Sequence, residues 1–141
     1  MVNSIIKGKG FERQVAKICS KLTNVEWKRV PMSGAFSTIN RSEDKRFFGD
    51  VFTEAQQYKD IVVECKKTKQ PITLTDLVNK KSRISEWFEQ TEKEAKGVDW
   101  ILVFSWNNSK IFYMTPKENV VKLMNIKNTL NIGAYWFGIF E

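Results

Sequence analysis

The sequence predicts an α/β fold, a central sheet flanked by helices with the elements in the order α-β-β-β-α-β. Three observations point there. An apolar stripe at helical spacing, Phe11, Val15, Ile18, Cys19 and Leu22, stands near the start of the chain. Short apolar runs bounded by turn residues follow, among them Ile61–Val63 and "DWILVFSW". Between those two runs lies a longer amphipathic stretch, the spacing of a helix that crosses from one strand to the next. With 141 residues, 42% of them hydrophobic, the chain suits one domain, 1–141, with one core.

Each element follows from its residues. The apolar stripe predicts a helix over about 8–23, with Gly8 and Gly10 as a flexible start. A short strand is expected near Glu26–Val30. "PMSGAFSTINRSEDKRF" then has almost no periodicity, and a loop of that length in a compact domain is usually functional or mobile. "FFGDVFT" and "YKDIVVECKK" read as two strands about the turn "EAQQ". Thr73 opens a helix whose apolar face is Leu74, Leu77, Val78, Ile84 and Phe88, supported by the i,i+4 pairs Glu89–Lys93 and Glu92–Lys96 and ended by Gly97. "DWILVFSW" is apolar on both faces and belongs in mid-sheet. "NNS" turns the chain into "KIFYM". Thr115, Pro116 and Glu118 have the pattern of a capping box that opens a helix to about Met124. "YWFGIF" is expected as a strand or a docked tail. Trp87, Phe88, Trp136 and Phe137 are candidates for a subunit interface or for the chain's own core.

Composition narrows the chemistry. There is no histidine, and Cys19 and Cys65 are the only cysteines, expected as free thiols. That removes ordinary zinc sites and the Ser-His-Asp and Cys-His forms of catalysis. No apolar run reaches the length of a membrane span, so the expectation is an intracellular protein without a membrane partner. A net charge of +7 suggests an acidic partner, most often nucleic acid.

"DIVVECKK", residues 60–67, carries the sharpest signal. Strand alternation puts Glu64 and Lys66 on one face, where a charge taken out of water is costly. If the two strands pair about a turn centred on Gln57, Asp50 falls opposite Glu64, with Cβ atoms about 5 Å apart. Two carboxylates there repel, and a divalent cation reverses the sign, because hard oxygen ligands suit Mg²⁺. Lys66 would then lie beside the ion, able to orient a water or offset charge on a phosphate.

"GD" followed by "ECK", with the helix before and the strands around them, resembles the PD-(D/E)xK nuclease superfamily, with Gly49-Asp50 in place of Pro-Asp. The resemblance implies a restriction-endonuclease-like core with a mixed sheet. It also implies a metal-site role for Glu12, the matching glutamate of the first helix. "KGKGFERQVAKIC", "KRVPMSG", "GDVF" and "VVECKK" together resemble the archaeal-type Holliday junction resolvases, which some viruses also carry. This likeness spans roughly residues 7–105. It puts Arg29 and Ser33 near the active site.

The expected function is therefore a Mg²⁺-dependent, structure-specific DNA endonuclease, with Mn²⁺ as a substitute ion, that cuts paired opposite strands at four-way junctions. Its catalytic residues would be Asp50, Glu64, Lys66, Glu12 and Ser33, and its metal ligands Asp50, Glu64 and Glu12. Arg29, Arg41, Lys45, Arg46, Lys67 and Lys69 would grip phosphates. Branched double-stranded DNA is the expected partner. A two-fold homodimer is implied by the need to cut two opposed strands. The alternatives are another nuclease of the superfamily, of nicking, repair or restriction type, and a DNA-binding module that does not cut.

Overall fold

Phe11, Val15, Ala16 and Cys19 form the buried stripe of helix α1 (Ser4–Thr23) in a computed structural model that describes residues 4–31, 48–79 and 81–141. The helix begins earlier than the stripe and runs through Gly8 and Gly10, where a flexible start was expected. Each glycine costs about 1 kcal/mol relative to alanine, and tertiary packing of the apolar face outweighs it. Strands β1 (Trp27–Arg29) and β2 (Val51–Thr53) pair antiparallel, with Arg29 opposite Val51. A 3₁₀ turn at Gln56–Tyr58 then leads into β3 (Ile61–Thr68).

The helix expected to run from Thr73 to Gly97 is two helices, α2 (Leu74–Val78) and α3 (Arg83–Ala95). Two good N-caps compete for one stretch. Thr73 and Asp76 close a capping box on α2. The Ser82 hydroxyl accepts from the Ser85 N–H at 3.3 Å and donates to the Asp76 carbonyl at 2.6 Å, so a second helix starts there. Helix α3 ends at Lys96 and Gly97, both at positive φ.

Strand β4 (Asp99–Trp106) runs parallel to β3 along its full length, Ile61 beside Asp99 through Thr68 beside Trp106. Strand β5 (Phe112–Thr115), helix α4 (Glu118–Leu123) and a hairpin of β6 (Leu130–Ile132) and β7 (Tyr135–Ile139) complete the described chain. The capping box expected at α4 does not form. Thr115 is fully buried on β5, and its hydroxyl donates to the Trp100 carbonyl at 2.7 Å, leaving α4 to start from Lys117 without a side-chain cap.

The described strands form one mixed sheet in the order β1-β2-β3-β4-β5-β7-β6, parallel at β3–β4 and antiparallel elsewhere. The final strand is thus part of the sheet, paired with β5. Alternation along β3 and β4 divides the core. Ile61, Val63, Ile101 and Val103 pack against α1 and α4, and Val62, Trp100, Leu102 and Phe104 pack against α3. This restriction-endonuclease-like α/β sandwich has the architecture expected from the sequence. The four aromatic residues weighed as interface material are engaged within the chain. Phe88 is buried and stacks on Tyr135, Trp87 leans on Phe104, Phe137 stacks on Phe112, and Trp136 packs half-buried against the α1 side. The large apolar side chains most exposed among the described residues are Leu74, Val78 and Leu130. No described helix is long and apolar enough to cross a membrane.

Candidate active site

The site is built where β2 ends against β3. Val51 pairs with Val63, the register of a turn centred on Gln57, so Asp50 comes next to Glu64. Three hydrogen bonds hold Asp50 in place. Its N–H donates to the Val63 carbonyl at 2.7 Å, its carbonyl accepts from the Val30 N–H at 2.9 Å, and its Oδ2 accepts from the Cys65 N–H at 2.8 Å. The carboxylate thus serves the β3 N–H in place of a backbone carbonyl from the neighbouring strand. Gly49 makes this approach possible, since a Cβ there would stand 2.4 Å from the Val63 carbonyl oxygen.

Glu64 follows Val62 on the α3 face of the sheet and is 6% exposed. Its Oε2 is buried without a hydrogen-bond partner among the described residues. Burial pushes its carboxyl far up, to about 11, and the neighbouring carboxyls of Asp50 and Glu94 push the same way. Lys66 shares that face by alternation and is half-buried.

Glu12 projects from α1 on the opposite face of the sheet. It lines a cleft of about 200 Å³ with Phe11, Cys65, Lys67 and Lys69. Its Oε2 accepts from Arg29 Nε at 2.7 Å, and both side chains are largely buried. Burial raises the Glu12 carboxyl, Arg29 opposes that shift, and Asp50 adds to it. Arg29 is therefore ion-paired with Glu12, an arrangement the sequence did not foretell for a residue expected to hold phosphate. Lys67 lies 5.6 Å over the Phe11 ring, and it and Lys69 are exposed beside the cleft. Asp50 sits at the sheet edge between the two faces and feels both glutamates. Ser33, Arg41, Lys45 and Arg46 lie outside the described residues. Cys19 and Cys65 are free, and burial holds both thiols protonated.

Sequence reading missed Glu94. It stands on α3, where its carboxyl adds to the upward shift of Glu64, and Gln90 Nε2 donates to its Oε1 at 2.9 Å. The i,i+4 spacing of Gln90 and Glu94 was visible, but nothing in the sequence sets the rotation of α3 on the sheet.

The donors suit a hard divalent cation. Asp50 and Glu64 offer carboxylate oxygens, one of them an orphan in a buried position. Among the described residues no group of three or more His, Cys, Asp or Glu side chains is placed to hold a metal ion. Asp50 and Glu64 would therefore have to supply the protein's share of the ligands, with waters and substrate phosphate making up the rest.

No significant match to the chain was found among curated proteins or solved structures. A family model does match, over residues 3–138, and so takes in the C-terminal strands beyond the reach of the resolvase resemblance. With the fold, the Asp50–Glu64–Lys66 arrangement and this match in agreement, the chain belongs to the PD-(D/E)xK nuclease family described as "Phage putative PDDEXK endonuclease".

Proposed function

We propose that the protein is a divalent-cation-dependent DNA endonuclease that resolves four-way junctions as a homodimer. The observation that carries the reading is the Glu64 carboxyl, 6% exposed with one oxygen unpartnered, set beside Asp50 and on the face of Lys66. A merely DNA-binding surface gains nothing from facing carboxylates where phosphates must approach.

Asp50 and Glu64 would hold the ion. When bound, such an ion polarises a phosphate oxygen and lowers the pKa of a bound water. Lys66 offsets the charge that develops on the phosphate and orients the attacking water. The water's oxygen bonds to phosphorus as the P–O bond to the leaving alkoxide breaks. The hydrogen bonds with Val30, Val63 and Cys65 fix Asp50 before substrate arrives, so little reorganisation is needed. Glu12 is neutralised by Arg29 and would shape the field around Asp50 from the other face.

The junction reading is supported by the segments that resemble resolvases and by the excess of basic residues, whose phosphate contacts position DNA without reading bases. Mg²⁺ is the ion proposed, with Mn²⁺ as substitute. Incubating the protein with a labelled four-way junction, a linear duplex and a single strand, each with Mg²⁺ or EDTA, tests the proposal. The expected result is paired nicks placed symmetrically about the branch point, only with Mg²⁺, and much weaker attack on the linear duplex. Equal cutting of linear and branched DNA would point to another nuclease of the superfamily. Binding without cutting in any condition would point to a non-cleaving module. Sedimentation of the free protein and of its junction complex tests the dimer.

A further inference from the structure

We infer that Arg83, the first residue of α3, is a further DNA-binding residue, held by Thr68 so that its guanidinium takes a phosphate flanking the one that is cut. The inference rests on the DNA endonuclease reading above.

Arg83 is placed by a hydrogen bond between two elements. Its Nη1 donates to Thr68 Oγ1 at 2.6 Å, so an exposed side chain from α3 is tied to the last residue of β3. Strand alternation puts Thr68 in one row with Glu64 and Lys66. Four strand steps separate Glu64 from Thr68, about 13 Å of backbone. A guanidinium tied to Thr68 would therefore meet a neighbouring phosphate rather than the one attacked. Thr68 also lines the cleft that holds Lys67 and Lys69. The end of β3 thus gathers Lys66, Lys67, Lys69 and Arg83. Among the described residues none of these four is ion-paired with a carboxylate.

Like charges brought together without a counter-charge repel, and a phosphate chain supplies the charge that the protein leaves out. Arginine carries five N–H donors in a planar fork, and Thr68 occupies one of them. The rest can take two phosphate oxygens at once, in an orientation set before DNA arrives. The rival explanation is that Arg83 only ties α3 to β3. Helix formation gives it little support, since Ser82 already caps α3 and a cation in the first turn stands against the helix dipole.

Four-way-junction binding in EDTA, measured by gel shift over a range of salt, separates the two. Arg83→Gln should weaken binding by about 10–100-fold at low salt and lower the slope of log affinity against log salt by about 1. Arg83→Lys should keep the slope, because the charge stays, and still bind less tightly, because the fork is lost. Thr68→Val, which removes the acceptor and no charge, should behave like Arg83→Lys. Lys93→Gln, which removes a charge from the exposed far end of the same helix, should bind as the wild type does. Mn²⁺ binding without DNA, read by the loss of the free-ion electron paramagnetic resonance signal, should be unchanged in Arg83→Gln. Wild-type affinity and slope in Arg83→Gln, or equal losses in Arg83→Gln and Lys93→Gln, would overturn the inference and leave the endonuclease reading standing. Loss of Mn²⁺ binding together with DNA binding in Arg83→Gln would overturn it too, by assigning Arg83 to the fold alone. A wild-type protein that binds no DNA would overturn the endonuclease reading itself, and the inference with it.

Discussion

Replacing Glu64 by glutamine should kill cleavage and make the metal-free protein more stable. In the folded chain the Glu64 carboxyl is pushed up to about 11 by burial, then by Asp50 and Glu94, against 4.5 when unfolded. Between those values the folded state binds more protons than the unfolded one, so stability falls as pH rises. The contribution is fully present below about pH 4.5 and is lost steadily above it. Each pH unit is worth about 1.4 kcal/mol. At pH 8 the ceiling is therefore about 5 kcal/mol, and relaxation of the site leaves on the order of 2–4 kcal/mol. A glutamine at this position escapes the cost, because it is neutral at every pH and its amide brings two N–H donors to a carboxylate-rich spot. Thermal melts in EDTA at pH 8 should show Glu64→Gln about 6–12 °C above the wild type. At pH 5 the gap should shrink to under about 3 °C. Adding Mg²⁺ at pH 8 should raise the wild type and leave the variant unmoved. A variant no more stable than wild type at pH 8, or one with the same gain at both pH values, would refute the reasoning.

Three further outcomes are expected. Asp50→Asn keeps an acceptor for the Cys65 N–H and so should fold, with junction cleavage down by about 10³-fold or more and junction binding retained in a gel-shift assay. Gly49→Ala forces a Cβ to 2.4 Å from the Val63 carbonyl oxygen and should cost about 1–3 kcal/mol in urea unfolding. Replacing Lys67 and Lys69 by alanine should flatten the slope of log affinity against log salt by about 2, and an unchanged slope would mean that the Glu12 cleft faces away from DNA.

The sequence disclosed most where one local rule decides. Strand alternation along Ile61–Lys66 and the turn centred on Gln57 give both the face and the register, and the Val51–Val63 pair agrees with them. The two-sided apolar run of β4 announced its central place in the same way. Reading failed where local rules compete or where packing decides. Thr115 has a capping pattern and a strand position, and its buried bond to Trp100 wins. Ser82 divides one apolar stripe into two helices because its hydroxyl can serve two backbone partners. Arg29 and Glu12 lie 17 residues apart on different elements, and the approach of α1 to β1 that joins them depends on packing across the whole sheet face. Glu94 was missed for the same reason.

The Arg29–Glu12 pair alters the balance of charge at the site. Glu12 was expected among the metal ligands, yet its Oε2 is occupied by a guanidinium at 2.7 Å. An arginine does not give up its proton, so this pair is neutral over the working pH range. Asp50 and Glu64 then leave a local excess of negative charge that a divalent cation would offset, with Lys66 on the same face. A free Glu12 would add to that excess and disfavour the approach of phosphate. Arg29 is thus better understood as setting the charge of the site than as holding DNA. Replacing it by methionine should then release a carboxylate beside Asp50, tighten Mn²⁺ binding and weaken junction binding. Loss of junction affinity with Mn²⁺ affinity unchanged would return Arg29 to the role of a phosphate contact.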